Sequence, residues 1–336
     1  CAVLASALSS ENPKLTELDL SYNKLYNSVV KKLCERLKSE NCKLKKLSLI
    51  DCSFTEESCT SLASILSLTL RELDLSRNDL WDSGVKELSE GLKSQDCKLE
   101  RLGLAGCRFT ERSCADLASV LQAENSPLRD LDLSFNVLED SGVKKLCDGL
   151  KSENCKLETL RLRDCNITLK GCAALVTALQ SNPSHLTELD LRWNRLGDSG
   201  VTELIKLKNN PDNKLEKLDL TDCRFTERSC ADLASVLQAE NSPLRDLDLS
   251  FNVLEDSGVK KLCDGLKSEN CKLEKLRLRD CWITHEGCAE LVTALQSNPS
   301  YLKELDLSRN ELGDSGVKEL RELQNNPDYK LEKLEI

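Results

Sequence analysis

A segment reading Leu-x-x-Leu-x-Leu recurs along the whole chain. It begins at Leu15, Leu44, Leu70, Leu99, Leu128, Leu157, Leu186, Leu215, Leu244, Leu273, Leu302 and Leu331, the last closing on Ile336. Ten of the eleven intervals are 29 residues, and Leu44 to Leu70 is 26. Apolar and polar residues alternate within each segment, which predicts a half-buried strand. Asn or Cys follows at the ninth position of each unit and an apolar residue at the eleventh. A helical pattern comes next, as over Glu111 to Gln122 with Ala115, Leu117, Ala118 and Leu121 on one face. Its expected N-cap is Thr110 in one kind of unit and Asp140 or Ser141 in the other. Polar turns such as Asn209-Asn210-Pro211-Asp212 return the chain to the next strand.

A fixed period in this range marks a stacked array in which each unit buries its apolar face only against its neighbours. Strands that alternate with helices and always re-enter in one sense give a parallel sheet. Such strands sit ~4.8 Å apart, whereas packed helices need ~8–10 Å. The predicted fold is therefore α/β: a right-handed solenoid bent into a horseshoe, with the parallel sheet on its concave face and helices on its convex face. One array over residues 1–336 is expected, with about twelve strands in 28–29-residue units. A helix is predicted over Ala2–Leu8, directly after Cys1, and a bare strand over Leu331–Ile336. Solenoids need polar end caps, so a piece of a longer polypeptide, truncated at both ends, is expected.

Two kinds of unit alternate. One is represented by Leu128–Leu146 and carries Asn at position nine; the other, Leu99–Leu117, carries Cys. The ladder runs Asn23, Cys52, Asn78, Cys107, Asn136, Cys165, Asn194, Cys223, Asn252, Cys281, Asn310. These side chains are expected to turn inward and satisfy loop backbone groups that would otherwise be buried unpaired. Phe54, Phe109 and Phe225 are expected to fill the core slot at position eleven.

Strand positions three, five and seven should face the hollow. Position five carries Asp19, Asp74, Asp132, Asp190, Asp219, Asp248 and Asp306, interrupted by Arg161 and Arg277. Position seven adds Arg163, Arg192 and Arg279. Such bands of opposite charge can orient a charged partner. Position eight carries Tyr22, Phe135, Trp193 and Phe251, with Arg77 and Arg309 in the same slot. Arg195 and Trp282 sit two positions further along their units, and Trp81 four. Large aromatics and arginine are favoured interface anchors, so these residues are the candidate partner-binding set.

Charge and composition narrow the class. With 47 basic and 57 acidic residues the net charge is -10, so the broad positive footprint of a nucleic-acid or anionic-membrane binder is missing. No apolar run approaches the ~20 residues that span a bilayer. The 18 cysteines fit the repeat register or its flank. Residues in one slot recur two strands or ~9.6 Å apart, beyond the ~7 Å reach of a disulfide. Buried thiols in a reducing compartment, the cytoplasm, are the expectation. No CxxC or Cys/His zinc spacing occurs, and the two histidines, His185 and His285, lie 100 residues apart. With no nucleophile–base–orienter set, neither enzymatic activity nor a cofactor or metal is expected.

Residues 107–219 and 223–335 align at an offset of 116 with 16 differences across 113 positions. Six of these fall on or beside the expected concave face: Thr159/Lys275, Asn166/Trp282, Arg192/Ser308, Trp193/Arg309, Arg195/Glu311 and Asp219/Glu335. The strand leucines and the Asn/Cys ladder are unchanged.

The alternation of LxxLDLSxNxLxDSGVxxL with LxxLxLxxCxxTxxxCxxL resembles the leucine-rich repeats of the ribonuclease inhibitor class, over essentially all 336 residues. The Asp-Ser-Gly-Val helix start and the Ser-Glu-Asn-Cys-Lys-Leu return at Ser152–Leu157 look most like the C-terminal repeat arm of NOD-like receptors, in particular the large fish-type sets. That resemblance implies a cytosolic innate immune sensor. Its arm would bind a protein or microbial ligand on the concave face, or contact an upstream nucleotide-binding module within the same polypeptide. No GxxxxGK(S/T) occurs in this chain, so nucleotide binding is not assigned to it. The alternative implied by the same repeats is a ribonuclease-inhibitor-like protein that clamps a basic ribonuclease.

Overall fold

The structure is a computed structural model that describes residues 15–39, 41–183 and 185–336. The helix expected over Ala2–Leu8 lies outside the described residues. The chain divides into two compact units, Cys1–Asn166 and Ile167–Ile336.

Among the described residues unit one carries six parallel strands: β1 Glu17–Asp19, β2 Lys46–Ser48, β3 Glu72–Asp74, β4 Arg101–Gly103, β5 Asp130–Asp132 and β6 Thr159–Arg161. The pairing is in register, so Leu18, Leu47, Leu73, Leu102, Leu131 and Leu160 form one row. Five helices follow strands β1 to β5: α1 Tyr26–Leu37, α2 Cys59–Ala63, α3 Trp81–Leu92, α4 Ser113–Gln122 and α5 Glu139–Leu150. Unit two repeats the scheme with β7 Glu188–Asp190, β8 Lys217–Asp219, β9 Asp246–Asp248, β10 Lys275–Arg277, β11 Glu304–Asp306 and β12 Lys333–Glu335. Its helices are α6 Leu169–Ser181, α7 Gly197–Leu204, α8 Cys230–Leu237, α9 Glu255–Leu266, α10 His285–Ser297 and α11 Gly313–Asn325. Leu189, Leu218, Leu247, Leu276, Leu305 and Leu334 form the corresponding row. The expected α/β leucine-rich-repeat solenoid, with a parallel sheet on one face and helices on the other, is the architecture of both units.

The core lies between sheet and helices. Leu131, Leu133, Leu160 and Leu162 are inaccessible, as are Phe54, Phe109 and Phe225 at position eleven. The ladder does what its position requires. Asn136 Oδ1 accepts from the backbone N–H of Cys107 and of Phe109, each at 3.0 Å, and Nδ2 donates to the carbonyls of Leu104 at 2.9 Å and Leu133 at 2.8 Å. Cysteine closes the next rung: the Cys107 thiol donates to the Leu75 carbonyl at 3.4 Å. Asn252 and Cys281 repeat both patterns in unit two.

Two small residues let neighbouring helices approach closely. A Cβ on Gly142 would stand 2.9 Å from Cys114 Sγ, and one on Gly258 at the same distance from Cys230 Sγ. Gly84 over Cys59 and Gly316 over Cys288 are closer still, at 2.8 and 2.6 Å. In these four repeats the glycine of Asp-Ser-Gly therefore seats the cysteine of the preceding helix, whereas Gly200 is crowded by Leu196 of its own turn.

The expected caps are corrected in part. Thr168 and Thr284 cap α6 and α10, each hydroxyl accepting from the amide two residues on at 3.3 Å. The Thr110 hydroxyl accepts likewise from Arg112 N–H, although the regular helix opens only at Ser113. Asp140 and Ser141 are not caps, because α5 already starts at Glu139 with Leu138 before it. The aspartate of that motif reaches the next repeat instead. Asp82 accepts from the N–H and hydroxyl of Thr110 at 2.9 and 2.6 Å, and Asp256 likewise from Thr284 at 2.8 and 2.6 Å.

Every described cysteine is free, and all but Cys42 are buried. Burial pushes the thiols of Cys59, Cys107 and Cys114 up to about 12, so they stay protonated and act as small apolar fillers.

Candidate functional site

In unit one the sheet face away from the helices is open. A groove of about 370 Å³ crosses it from β1 to β6. Its walls carry Glu17, Asp19, Glu72, Asp74, Asp130 and Asp132 against Lys46, Arg101 and Arg161. Acid exceeds base two to one, so the groove favours a positively charged guest. Gly103 sits in the floor, and a Cβ there would come within 2.5 Å of Asp74 Oδ1. The missing side chain is what lets the Asp74 carboxylate lie across β4.

The arginine bands are clasped to neighbouring carboxylates. Arg161 reaches Asp130 at 2.6 Å, and Arg277 reaches Asp246 at 2.6 Å and Glu304 at 3.8 Å. Parallel register explains the pairing, because position five of one strand lies diagonally across from position three of the previous one. Arg192 bridges Asp190 at 2.5 Å and Asp219 at 3.3 Å. Asp190 is nearly inaccessible and Asp219 half-buried. Burial, together with the neighbouring Asp248, raises the Asp219 carboxyl to about 6, against the opposing pull of Thr221 and Arg192.

The rim beside the sheet carries the aromatics. Trp282 and Tyr22 are about two-thirds exposed (65% and 68%), and Trp81, Phe135, Trp193 and Phe251 less so. Every one of these six has a left-handed backbone, with φ between 53° and 63°. The conformation belongs to the loop, since Asp51, Asp164, Asp222 and Asp280 share it at position eight. Its occupants are what distinguish the repeats. A left-handed residue costs an L-amino acid roughly 1–2 kcal/mol, least for Gly, Asn and Asp. Gly106, Gly197 and Gly313 take the inexpensive solution, whereas the aromatic residues do not.

Guanidinium groups lie over rim rings: Arg108 over Trp81 at 5.2 Å, Arg163 over Phe135 at 4.8 Å and Arg279 over Phe251 at 5.7 Å. Arg77, Arg195 and Arg309 are exposed at the same rim. Arg108, which also pairs with Asp79, and the acids Asp130 and Asp246 belong to this surface although the sequence pattern alone did not single them out. The pattern also passed over Val137 and Val253, which stand exposed two residues beyond Phe135 and Phe251. Register was the available signal for the acids: Asp130 and Asp246 each lie 31 residues before the arginine they hold, at position three of the preceding strand.

Among the described residues no group of three or more His, Cys, Asp or Glu is placed to hold a metal ion, and no helix is long and apolar enough to cross a membrane.

Fold and repeat chemistry together define a solenoid protein of alternating Asn and Cys repeats. The family model described as "Leucine Rich repeat" matches residues 11–34, 67–89, 124–147, 153–176, 182–204, 240–263, 269–292 and 298–320, more than half of the chain. The chain belongs to that family. It is 49% identical over 142 residues to NACHT, LRR and PYD domains-containing protein 12 of Mus musculus, covering 42% of this chain and 13% of the relative. It is 47% identical over 144 residues to the ribonuclease inhibitor of Sus scrofa, covering 42% of this chain and 31% of the relative. The matched stretch thus spans less than a third of either relative's length. Among solved structures, an internalin of Listeria monocytogenes superposes with a TM-score of 0.52 over 96% of this chain and 87% of its own, at 17% identity, which shows a shared fold.

Proposed function

We propose that the chain is a non-catalytic, protein-binding repeat arm of a cytoplasmic NOD-like receptor of innate immunity. Its partner-binding surface is the open sheet face with the aromatic rim beside it. The partner is a protein or microbial ligand, or an upstream nucleotide-binding module of the same polypeptide. The observation that carries this reading is the rim: large aromatic side chains occupy left-handed positions that glycine or aspartate would fill at lower cost, and they remain exposed. Core packing does not require them there, and interface anchoring does. Similarity to the NACHT, LRR and PYD protein supports the receptor context. The test is quantitative capture of partners from cytosolic extract by the full chain and by a Phe135→Ala/Trp193→Ala variant. Partners that bind the two equally would remove the rim from the interface.

A second reading is favoured by the acid-rich groove and by the similarity to ribonuclease inhibitor. On that reading the face clamps a basic ribonuclease. Titration of ribonuclease activity at two salt concentrations separates the readings, because a charge-steered complex weakens steeply with ionic strength. Full activity at equimolar chain excludes the inhibitor.

A further inference from the structure

Trp81 and Arg108 in unit one show what this rim does with an arginine. The guanidinium lies over the indole at 5.2 Å and also pairs with Asp79, so a ring and a carboxylate hold one cation between them. Unit two builds the ring and the acids without the cation. Trp282 stands at position ten of its repeat, 65% exposed. The backbone sets a glutamate on each side of it. Glu255 N–H donates to the Cys281 carbonyl at 3.1 Å, and Glu311 N–H donates to the Ile283 carbonyl at 2.9 Å. The residues immediately before and after Trp282 thus fix the two acids. Both glutamates are exposed. Among the described residues neither makes an ion pair, and no cation lies over the Trp282 ring. In the other copy of the duplication Asn166 stands where Trp282 does, and Arg195 where Glu311 does. Ring and second carboxylate are therefore present together in one copy and replaced together in the other.

We propose that Trp282, with Glu255 and Glu311, is a docking site for an arginine side chain of a partner protein. The guanidinium stacks on the indole and meets a carboxylate on either side, as Arg108 meets Trp81 and Asp79 within unit one. Val253, at position ten of the preceding repeat and also exposed, takes an aliphatic residue beside that arginine. The inference rests on the protein-binding reading above and names the chemistry of one contact. Two arginines of the chain lie nearby. Arg279 is turned over the Phe251 ring, and Arg309 stands exposed at position eight of the next repeat. Asp280 offsets Arg309: its N–H donates to the carbonyl of Ser308, the residue before that arginine, at 3.0 Å. Three carboxylates against one unstacked arginine leave the patch selective for a cation. The same three carboxylates disfavour a phosphate backbone or an acidic peptide.

The test is nuclear magnetic resonance of the full chain carrying isotope-labelled tryptophan, titrated with a capped hexapeptide of alternating arginine and leucine. The chain has three tryptophans, and Trp282→Phe identifies the signal of the third. That indole signal should move saturably at millimolar peptide or below, and the Trp81 signal less, because its ring already holds Arg108. Glu255→Gln/Glu311→Gln should weaken the binding roughly three- to tenfold and remove most of its salt dependence. Glu311→Arg, which installs the residue of the other copy, should abolish the response. All these side chains are exposed, and circular dichroism checks that each variant keeps the fold. A Trp282 signal that does not move, an unchanged affinity in Glu255→Gln/Glu311→Gln, or an equal response to a peptide of alternating glutamine and leucine overturns the assignment. So does a larger response to a glutamate–leucine peptide or to a single-stranded oligonucleotide. If the peptide fails while Phe135→Ala/Trp193→Ala still loses captured partners, only this assignment falls and the protein-binding reading stands.

Discussion

Replacing Asn136 by alanine removes one rung of the ladder in the middle of unit one. The side chain is buried, accepts from two backbone amides at 3.0 Å and donates to two carbonyls at 2.8 and 2.9 Å. The site is closed to bulk solvent, with Asn136 1% exposed. A buried backbone group left without a partner costs ~1–3 kcal/mol, so the two orphaned amides of Cys107 and Phe109 set the loss at about 2–6 kcal/mol. Asn23 provides the control within the same chain. It occupies the same register position but is exposed, and donates to the carbonyls of Leu20 and Ser21 at 2.9 and 3.1 Å. Asn23→Ala should cost about 1 kcal/mol or less, because water substitutes. Asn136→Asp should be at least as damaging as Asn136→Ala, since it turns a carboxylate oxygen toward two carbonyls. Urea unfolding followed by circular dichroism gives the global cost. Repeat arrays need not unfold in two states, so hydrogen exchange at the Cys107 and Phe109 amides supplies the local one. An Asn136→Ala protein within 1 kcal/mol of Asn23→Ala, or unaltered protection of those amides, would mean that the buried rung does not hold the loop backbone.

Four further outcomes follow from the same contacts. Gly142→Ala drives a methyl to 2.9 Å from Cys114 Sγ and should cost ~1–3 kcal/mol, whereas Gly197→Ala, with no atom within 4 Å of the added Cβ, is opposed only by its backbone angle; thermal melts of the two compare them. Leu131→Asp buries an unpaired charge in a fully inaccessible site and should destabilise by several kcal/mol in urea titration, and a normally folded variant would contradict the assigned core. Asp219, raised to about 6, holds its proton more tightly folded than unfolded, so its contribution to stability is present below pH ~4 and lost as pH rises through 6. Asp219→Asn should therefore be ~1–2 kcal/mol more stable than wild type at pH 7 and lose that margin by pH 4 in paired denaturation curves, and a margin independent of pH would refute it. Phe135→Ala/Trp193→Ala should weaken partner binding while leaving the melting temperature near wild type, as half-exposed rings contribute little to the core; a large fall in melting temperature would place them in it.

Strands, ladder and core slot were legible because one physical requirement, burial of a leucine row against a helix, repeats with a single period. Leu131 and Asn136 follow from their place in the unit alone. The Asp82–Thr110 staple was not legible, because a polar residue at a helix start looks locally like a cap. Only the three-dimensional offset between repeats reveals that it serves the neighbour 28 residues on. The left-handed loop positions were also hidden, since propensity alone would put glycine or asparagine where Trp193 and Phe135 stand. At the open face, charge composition gave the bands, but the clasp of Arg161 on Asp130 depends on strand register as well as sequence. Thus part of the positive charge that seemed available to a partner is already held by the sheet.

The most direct measurement compares partner capture by three forms of the full chain: wild type, Phe135→Ala/Trp193→Ala on the rim, and Lys144→Ala/Lys260→Ala on the exposed helical side. The helical-side variant should retain the wild-type partners, and the rim variant should lose them at unchanged melting temperature. Loss on the helical side, with the rim variant still binding, would contradict the claim that this protein works through its open sheet face and aromatic rim.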